Sequence, residues 1–380
     1  MDAELQREAE HLMTVCNSCR YCEAYCAAWQ SMERRLVFNP GDLNYLANLC
    51  HGCSDCYYAC QYAPPHEFNI NPPLTFAKIR LESYQQYAWP QPLAKLFNKN
   101  GVVVSLLTAL MLIVFVFGAV LVVGSDRLFS PVPGAKLYDI TPNRFLVTTF
   151  SAVFLYSILA LVIGFLRFWR DTGGKFGTFL RPVTLARGLW DVLTLHYLDN
   201  NGFGCTYPKQ EDSQSRRWFH HFTFYGFLLC FAATATATIY EDFLNWLPPY
   251  GYTSLPVVFG TLGGIGLMIG PTGLYILKLR RNRELTDEKQ VGMDVSFLLL
   301  LFLTSVTGLL LLAFRTTAAM GTLLVIHLAF VMTLFLTIPY GKFVHSVYRF
   351  AALVKFALEG SRAPEHKIAA EHVHAARQSL

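Results

Sequence analysis

Cysteine spacing is the strongest chemical signal in this chain of 380 residues. Eight of the ten cysteines fall into two runs with the same pattern, C-x2-C-x2-C-x3-C. Three closely spaced thiolates can hold one face of a cubane iron–sulfur cluster, and in two-cluster proteins the fourth thiolate comes from the other run. We therefore predict two [4Fe–4S] clusters with crossed ligation. Their ligands are Cys16, Cys19, Cys22 and Cys60 for the first cluster and Cys50, Cys53, Cys56 and Cys26 for the second.

Two other uses of cysteine fit this pattern less well. A disulfide framework needs an oxidising compartment, which we do not expect because no signal peptide precedes the runs and a membrane domain follows them. Zinc sites use pairs of ligands rather than four evenly stepped cysteines. Small bacterial ferredoxins usually have proline after the fourth cysteine, where this chain has Ala27 and Gln61, but this difference does not affect the ligands. Cys205 and Cys230 lie outside the runs and are predicted to be ordinary thiols.

Histidines in apolar segments are the second candidates for cofactor chemistry, because ligating residues inside a membrane are costly to bury. His220 and His221 begin one apolar segment, and His345 lies near the end of another. One histidine of the adjacent pair could face His345 across a helical bundle and form the axial site of a b-type haem. Neighbours on a helix point about 100° apart, so only one of the pair can face the haem. The sequence leaves open which one.

His327 precedes His345 on the same predicted helix, about 27 Å away along its axis. The segment that begins at His220 offers no histidine at the depth of His327. His327 is therefore a candidate ligand of a second haem, a hydrogen-bond partner of a quinone, or a structural histidine. We expect one haem b, and the histidine count allows two.

Composition places most of the chain in a membrane. Hydrophobic residues make up 53% of the sequence and charged residues only 15%, against about a quarter in soluble proteins. Six apolar segments reach the roughly 20 residues that a helix needs to cross the hydrocarbon core. Nucleic-acid binding has no support, because no basic stripe is interleaved with aromatic residues. The six segments are 101–124, 143–169, 218–240, 254–279, 293–314 and 320–348.

The residues before these segments favour helices and show few alternating strand patterns. Good helix formers run over 2–15, and Asp42 could cap a helix over 43–49. A further helix over 74–87 would turn Arg80 outward, together with Lys78 and Glu82.

We therefore predict an all-α fold, in which an N-terminal α-helical two-cluster ferredoxin domain precedes a six-helix transmembrane haem-binding bundle. The predicted divisions are 1–75 for the ferredoxin-like domain, 76–100 for a linker and interfacial helix, 101–350 for the membrane domain and 351–380 for a basic tail.

The distribution of Lys and Arg predicts the orientation in the membrane. The connections 170–217 and 280–292 are rich in these residues, whereas 125–142 and 241–253 contain few. We therefore expect a multi-pass protein of the cell inner membrane with both termini in the cytoplasm. The clusters would then lie on the reducing side of the membrane.

Taken together, these motifs resemble a known family. The cysteine runs precede six apolar segments that include Arg216-Arg217-Trp218-Phe219-His220-His221, Gly263-Gly264-Ile265-Gly266 and the stretch from His327 through Pro339 to His345. The pattern closely resembles the tricarballylate utilisation protein family (TcuB, also called CitB) over essentially the whole chain. The cysteine domain is also similar to the α-helical ferredoxin domains of succinate dehydrogenase and heterodisulfide reductase subunits, and the last segment to the final haem-bearing helix of nitrate reductase gamma subunits.

The resemblance implies a function in electron transfer. The protein would reoxidise the reduced FAD of a soluble partner dehydrogenase that converts tricarballylate to cis-aconitate. Electrons would pass through both clusters and haem to membrane quinone, so the chain would act as part of a flavoprotein:quinone oxidoreductase. The partner would dock on the ferredoxin domain through Arg34, Arg35 and the proline-rich segment after Cys60.

Two other functions stay open. Similar cluster and haem modules occur in oxygen-dependent monooxygenases of cobalamin biosynthesis, where they are fused to a flavoprotein half. A haem-based redox sensor is the other alternative. No flavin fingerprint and no catalytic triad stands out in the sequence, so any flavin would belong to a partner.

Overall fold

The computed structural model describes residues 1–199 and 204–360. Within these ranges the regular secondary structure is almost entirely helical, which confirms the all-α prediction. The α-helices are α1 (Ala3–Cys19), α2 (Ala27–Met32), α3 (Pro40–Leu49), α4 (Asp55–Tyr58), α5 (Pro72–Tyr87), α6 (Gln91–Leu96), α7 (Asn100–Val123), α8 (Ser125–Leu128), α9 (Asn143–Asp171), α10 (Phe176–Phe179), α11 (Pro182–Leu193), α12 (Ser215–Asp242), α13 (Leu255–Leu279), α14 (Glu288–Ala313), α15 (Met320–Thr337) and α16 (Val344–Gly360).

The remaining elements are two short strands and single helical turns. Two two-residue strands, β1 (Cys205–Thr206) and β2 (Asp212–Ser213), pair antiparallel with Cys205 opposite Ser213. Single turns of 3-10 helix cover Phe97–Lys99, Pro133–Ala135, Leu137–Asp139, His196–Leu198 and Arg283–Leu285.

Capping residues set where the N-terminal helices begin. The Asn39 side chain accepts a hydrogen bond from the backbone N–H of Asp42, and the Asp42 carboxylate accepts one from the Asn39 N–H. This capping box, with Pro40 in the first helical position, starts α3 earlier than the predicted residue 43. The Asn71 side chain caps α5 by accepting a hydrogen bond from the backbone N–H of Leu74, so this helix starts at Pro72 rather than residue 74. Asp42 thus lies inside α3 instead of capping it.

Six helices are long and apolar enough to cross a membrane, and they correspond to the six predicted segments. They are α7, α9, α12, α13, α14 and α15. Large apolar side chains project outward from this bundle, with Leu121 84% exposed and Phe117 64% exposed. An outward apolar surface on helices of this length is what lipid contact requires.

The sixth predicted span, 320–348, is wrong in its second half. The helix ends at Thr337, two residues before Pro339, and a new helix, α16, begins at Val344. Proline has no N–H to continue the helical ladder, and its ring clashes with the preceding turn. His327 and His345 therefore lie on different helices, and their predicted 27 Å axial separation does not apply.

Helix α16 is part of the interior rather than the start of a tail. It packs against α3, α9 and α11 and buries Ala351, Ala352 and Val354. Its far end is held by Glu359, whose carboxylate accepts a hydrogen bond of 2.5 Å from Arg35. The predicted tail 351–380 is therefore helical to Gly360, and its remainder, 361–380, lies outside the described residues.

The predicted domain boundary at residue 75 falls inside α5. This helix continues to Tyr87 and packs on both α1 and α3. It also contacts α9 and α14 of the bundle. Helix α5 therefore joins the N-terminal helices, α1 to α5, to the membrane bundle.

Candidate functional site

The first predicted set of cysteines surrounds one cavity. Cys16, Cys19, Cys22 and Cys60 all line a space of about 290 Å³, which Cys56 also borders. Cys16 and Cys19 come from the last turns of α1, and Arg20 ends that helix in the left-handed conformation, with φ of 55°. This reversal turns the chain back toward Cys22.

The second predicted set surrounds another, narrower cavity. Cys26, Cys50, Cys53 and Cys56 line a space of about 10 Å³, which Trp29 also borders. The Gly52 N–H points to the Cys50 sulfur at 3.3 Å, which requires the φ of +63° that glycine adopts readily. Such N–H groups stabilise negative charge on a cluster thiolate.

The donor chemistry of both sets fits iron–sulfur clusters. All eight thiols are free of disulfides. Burial, together with neighbouring cysteine sulfurs, raises the pKa of Cys22 and Cys26 to about 12. Thiols packed in this way lose their protons only when a cation takes their place. The first cavity has open space for a cluster. The second cavity is narrow, so there the fit rests on its four cysteine sulfurs.

Cys205 lies beside the second set, which the sequence did not indicate. Ligand atoms of Cys205, Cys53 and His51 all lie within 4.8 Å of one another, and all three residues are buried. Strand β1 is held there because the Asp55 carboxylate accepts a hydrogen bond of 2.8 Å from the backbone N–H of Thr206. Cys205 is about 150 residues from Cys53 in sequence, so no local spacing could reveal the contact.

Four arginines converge on the loop that carries Cys50 and Cys53. Three of them donate to backbone carbonyls of this loop, and Arg281 donates to the Ser54 hydroxyl at 3.3 Å. The sequence pattern predicted that Arg80 lies on the outer face of its helix, and this prediction is wrong. Arg80 is 7% exposed and donates to the Cys50 and Ala47 carbonyls at 3.1 and 3.0 Å.

The other two arginines come from helices that also carry histidines. Arg216 donates to the His51 and Gly52 carbonyls at 2.7 and 3.0 Å. Arg349 donates to the Cys50 carbonyl at 2.5 Å. We call Arg80, Arg216, Arg281 and Arg349 the arginine cluster.

His220 and His345 lie next to each other, one turn along their helices from Arg216 and Arg349. Their ring centroids are 6.2 Å apart. Two imidazoles bound at about 2.0–2.1 Å on opposite sides of one metal would have centroids roughly 6 Å apart. The His345 Nδ1 donates to the Lys342 carbonyl at 2.6 Å, which leaves Nε2 available as a ligand. The buried Nδ1 of His220 has no partner among the described residues. The pair therefore fits the axial ligands of a haem.

The other two candidate histidines have different surroundings. His221 turns away from His345, and its Nε2 lies 3.3 Å from the Thr194 carbonyl. His327 belongs to α15 and faces α14, where its Nδ1 lies 3.1 Å from the Thr307 hydroxyl. A Cβ on Gly308 would lie 2.9 Å from the His327 ring, so this site is tightly packed. In the described structure neither ring faces another histidine.

A charged triad at the beginning of α14 also escaped the sequence analysis. The Asp294 carboxylate accepts from Lys278 at 2.5 Å and from Lys342 at 2.7 Å. Lys342 is also the residue whose carbonyl holds His345. The triad therefore fixes the turn between α15 and α16 that positions this histidine.

Arg35 is not free to dock a partner. Its guanidinium forms ion pairs with Asp42 at 2.7 Å and with Glu359 at 2.5 Å, and its side chain is only 12% exposed. Arg34 is more open, but the largest exposed groups beside it are apolar. Leu36 and Val37 are 87% and 84% exposed.

Comparisons with known proteins give a consistent result. The family model described as "Citrate utilization protein B" matches residues 96–366, and the model of its Fer4-like domain matches residues 9–86. A curated Escherichia coli protein named "Citrate utilization protein B" is 49% identical over 369 residues, which cover 97% of this chain and 96% of the relative. No solved structure matches the chain.

Proposed function

Because this chain belongs to the citrate utilization protein B family, we propose that it carries electrons from a soluble FAD-containing dehydrogenase to membrane quinone. Two [4Fe–4S] clusters and one haem b would be its carriers. The E. coli relative is named for citrate utilization, so the partner would oxidise a tricarboxylate, with tricarballylate as the leading candidate. The N-terminal helices would lie in the cytoplasm, where the soluble partner is found.

One observation carries this proposal: two arginines connect the second cysteine set directly to the histidine pair. Arg216 binds the His51 and Gly52 carbonyls and lies four residues before His220. Arg349 binds the Cys50 carbonyl and lies four residues after His345. Four residues are about one helical turn, or roughly 6 Å along the axis. A cluster on Cys50 and a haem on His345 would therefore be neighbours.

Each group has residues suited to hold it. The cysteines would ligate the clusters in the crossed arrangement, and His220 and His345 would be the axial ligands of the haem. Clusters and haem supply reversible one-electron chemistry when bound. The hydrogen bond from His345 Nδ1 to the Lys342 carbonyl fixes the tautomer and orientation of this ring.

The first cavity is the side at which a flavoprotein would dock. Tyr21 borders that cavity and is 65% exposed, and the exposed Leu36 and Val37 follow Arg35, whose carbonyl accepts from Asn17 on α1 at 2.9 Å. Exposed apolar groups of this size on a polar domain are typical of protein interaction surfaces. We propose these three residues, with Arg34, in place of the predicted Arg34 and Arg35 pair.

Stopped-flow mixing tests the proposed function. Reduced dehydrogenase should reduce the haem of the purified protein, and subsequent quinone should reoxidise it. A haem that the reduced flavoprotein fails to reduce, or a reduced haem that does not respond to quinone, contradicts the proposal. Leu36→Asp should slow only the first step, because it lies on the proposed docking surface.

A further inference from the structure

The arginine cluster brings together four positive charges beside the Cys50 loop. In the part of the chain that the structure describes, none of Arg80, Arg216, Arg281 and Arg349 forms an ion pair with a carboxylate. The carboxylate of Asp294 is already shared by Lys278 and Lys342. Buried cations without counter-charges are strongly disfavoured.

Parts of this cluster are also desolvated without a hydrogen-bond partner. The Nε atoms of Arg281 and Arg349 are buried, and neither has a partner in the described structure. Arg216 and Arg281 stack on the Tyr207 ring at 4.6 and 5.0 Å, which partly offsets the loss of solvent. An anion beside these arginines would offset their remaining positive charge.

The loop that the cluster holds indicates the anion. Arg80, Arg216 and Arg349 bind the carbonyls of Cys50, His51 and Gly52, between the first two cysteines of the second set. A [4Fe–4S] centre with four thiolates is negatively charged and gains a further negative charge on reduction. Nearby positive charge therefore favours the reduced form.

The first cysteine set has a different electrostatic environment. Its cavity is lined by Glu23 and one arginine, Arg20. These two opposite charges largely cancel, so the residues that line the first cavity offer no net positive charge comparable to that of the arginine cluster.

We propose that the arginine cluster is the counter-charge of the second [4Fe–4S] centre, which it makes the more easily reduced of the two. This inference rests on the proposed function and adds a direction to it. An electron that enters at the first set, near the docking surface, would move to the second set and then toward His220 and His345. The arginines act through the charge they place beside the cysteine loop and touch no substrate.

Arg281→Gln tests the proposal on the whole purified protein. Arg281 binds only the Ser54 side chain among the residues of the loop, so its loss leaves the carbonyl contacts of the other three arginines intact. The measurement is an EPR-monitored redox titration of both clusters with soluble mediators, and the signal lost in Cys53→Ala identifies the second cluster. At a fixed solution potential, the ratio of reduced to oxidised second cluster should fall about tenfold, which is 59 mV for a one-electron couple.

Two control variants separate charge from other effects. Arg283→Gln removes the same charge from an exposed residue two positions away and should leave both potentials unchanged. Arg281→Lys keeps the charge and should restore the potential of the second cluster. The potential of the first cluster should stay the same in all three variants.

Several results would overturn the inference. Unchanged potentials in Arg281→Gln, or an equal shift in Arg283→Gln, would show that the cluster does not supply this charge. Loss of haem with unchanged cluster potentials would assign the arginines to haem carboxylates instead. The titration uses neither partner nor quinone, so a failure of electron delivery leaves this result intact. A wild-type protein without cluster EPR signals would contradict both proposals.

Discussion

Gly270→Ala should displace His220 and remove the haem. Helices α12 and α13 are in close contact along a row of glycines, as small residues allow in membrane helices. A Cβ on Gly270 would lie 2.5 Å from the Thr223 backbone N and 2.8 Å from the Phe219 carbonyl oxygen. These two residues stand on either side of His220, so any movement of this backbone moves the histidine.

The magnitude follows from these distances. Ordinary contact begins at 3.4 Å, so relieving the 2.5 Å approach to Thr223 N requires a local separation of about 0.9 Å. Metal–ligand distances tolerate only about 0.2 Å. Alanine gains about 1 kcal/mol of helix propensity over glycine, but overpacking against backbone costs about 1–3 kcal/mol. The difference is a net loss of up to about 2 kcal/mol of stability, and we expect the upper part of this range because backbone atoms cannot rotate away as a flexible side chain can.

The assay compares b-haem absorbance per chain with cluster iron in the purified variant. Haem should be largely lost and cluster signals retained, because the eight cysteines lie on other elements. Gly118→Ala is the matched control, since nothing lies within 4 Å of a Cβ at this position of α7. Full haem content and unchanged stability in Gly270→Ala would refute the claim that the α12 and α13 contact positions His220.

Other predictions address the remaining contacts. His345→Ala should abolish haem absorbance and keep the cluster EPR signals. His327→Ala should retain haem, because Thr307 and not a second histidine faces this ring. The reverse pattern would transfer the ligand role to His327. Cys26→Ser should damage the second cluster and spare the first, and the opposite loss would refute crossed ligation. Glu359→Gln should destabilise the packing of α16 on the N-terminal helices by about 1.5–3 kcal/mol, which is the value of a hydrogen bond to a charged group. Denaturant unfolding measures this loss, and an unchanged midpoint would show that Arg35 finds another partner. Burial and Glu23 raise the pKa of Glu33 from 4.5 to about 8, so the native state keeps a proton that the unfolded chain releases, and stability should fall as the pH rises from about 4.5 to 8. Glu33→Gln should flatten this dependence in thermal unfolding, and an equal slope in the variant would contradict the assignment.

Local patterns predicted much of this protein. The cysteine runs combine ligand type and spacing within a few residues, and the six apolar segments each reflect one helix length. The pairing of His345 with a histidine at the beginning of the third span followed from counting spans. Which of the two it would be did not, because the choice depends on the rotation of α12, which its glycine contacts with α13 determine.

The errors share a physical cause, which is contact between distant parts of the chain. Arg80 was predicted to face outward because its partners, the Ala47 and Cys50 carbonyls, are about 30 residues away. The run to residue 348 was counted as one span because α16 is also apolar, but its apolar face covers the N-terminal helices instead of lipid. Pro339 was visible in the sequence and carried the information that the helix ends there.

The iron-to-haem ratio of the purified protein tests the proposed set of electron carriers most directly. We predict eight cluster irons and one haem b per chain, with that haem on His220 and His345. Eight cluster irons with no haem would contradict the assignment of this histidine pair. Two haems per chain would contradict the conclusion that His327 and His221 are not haem ligands.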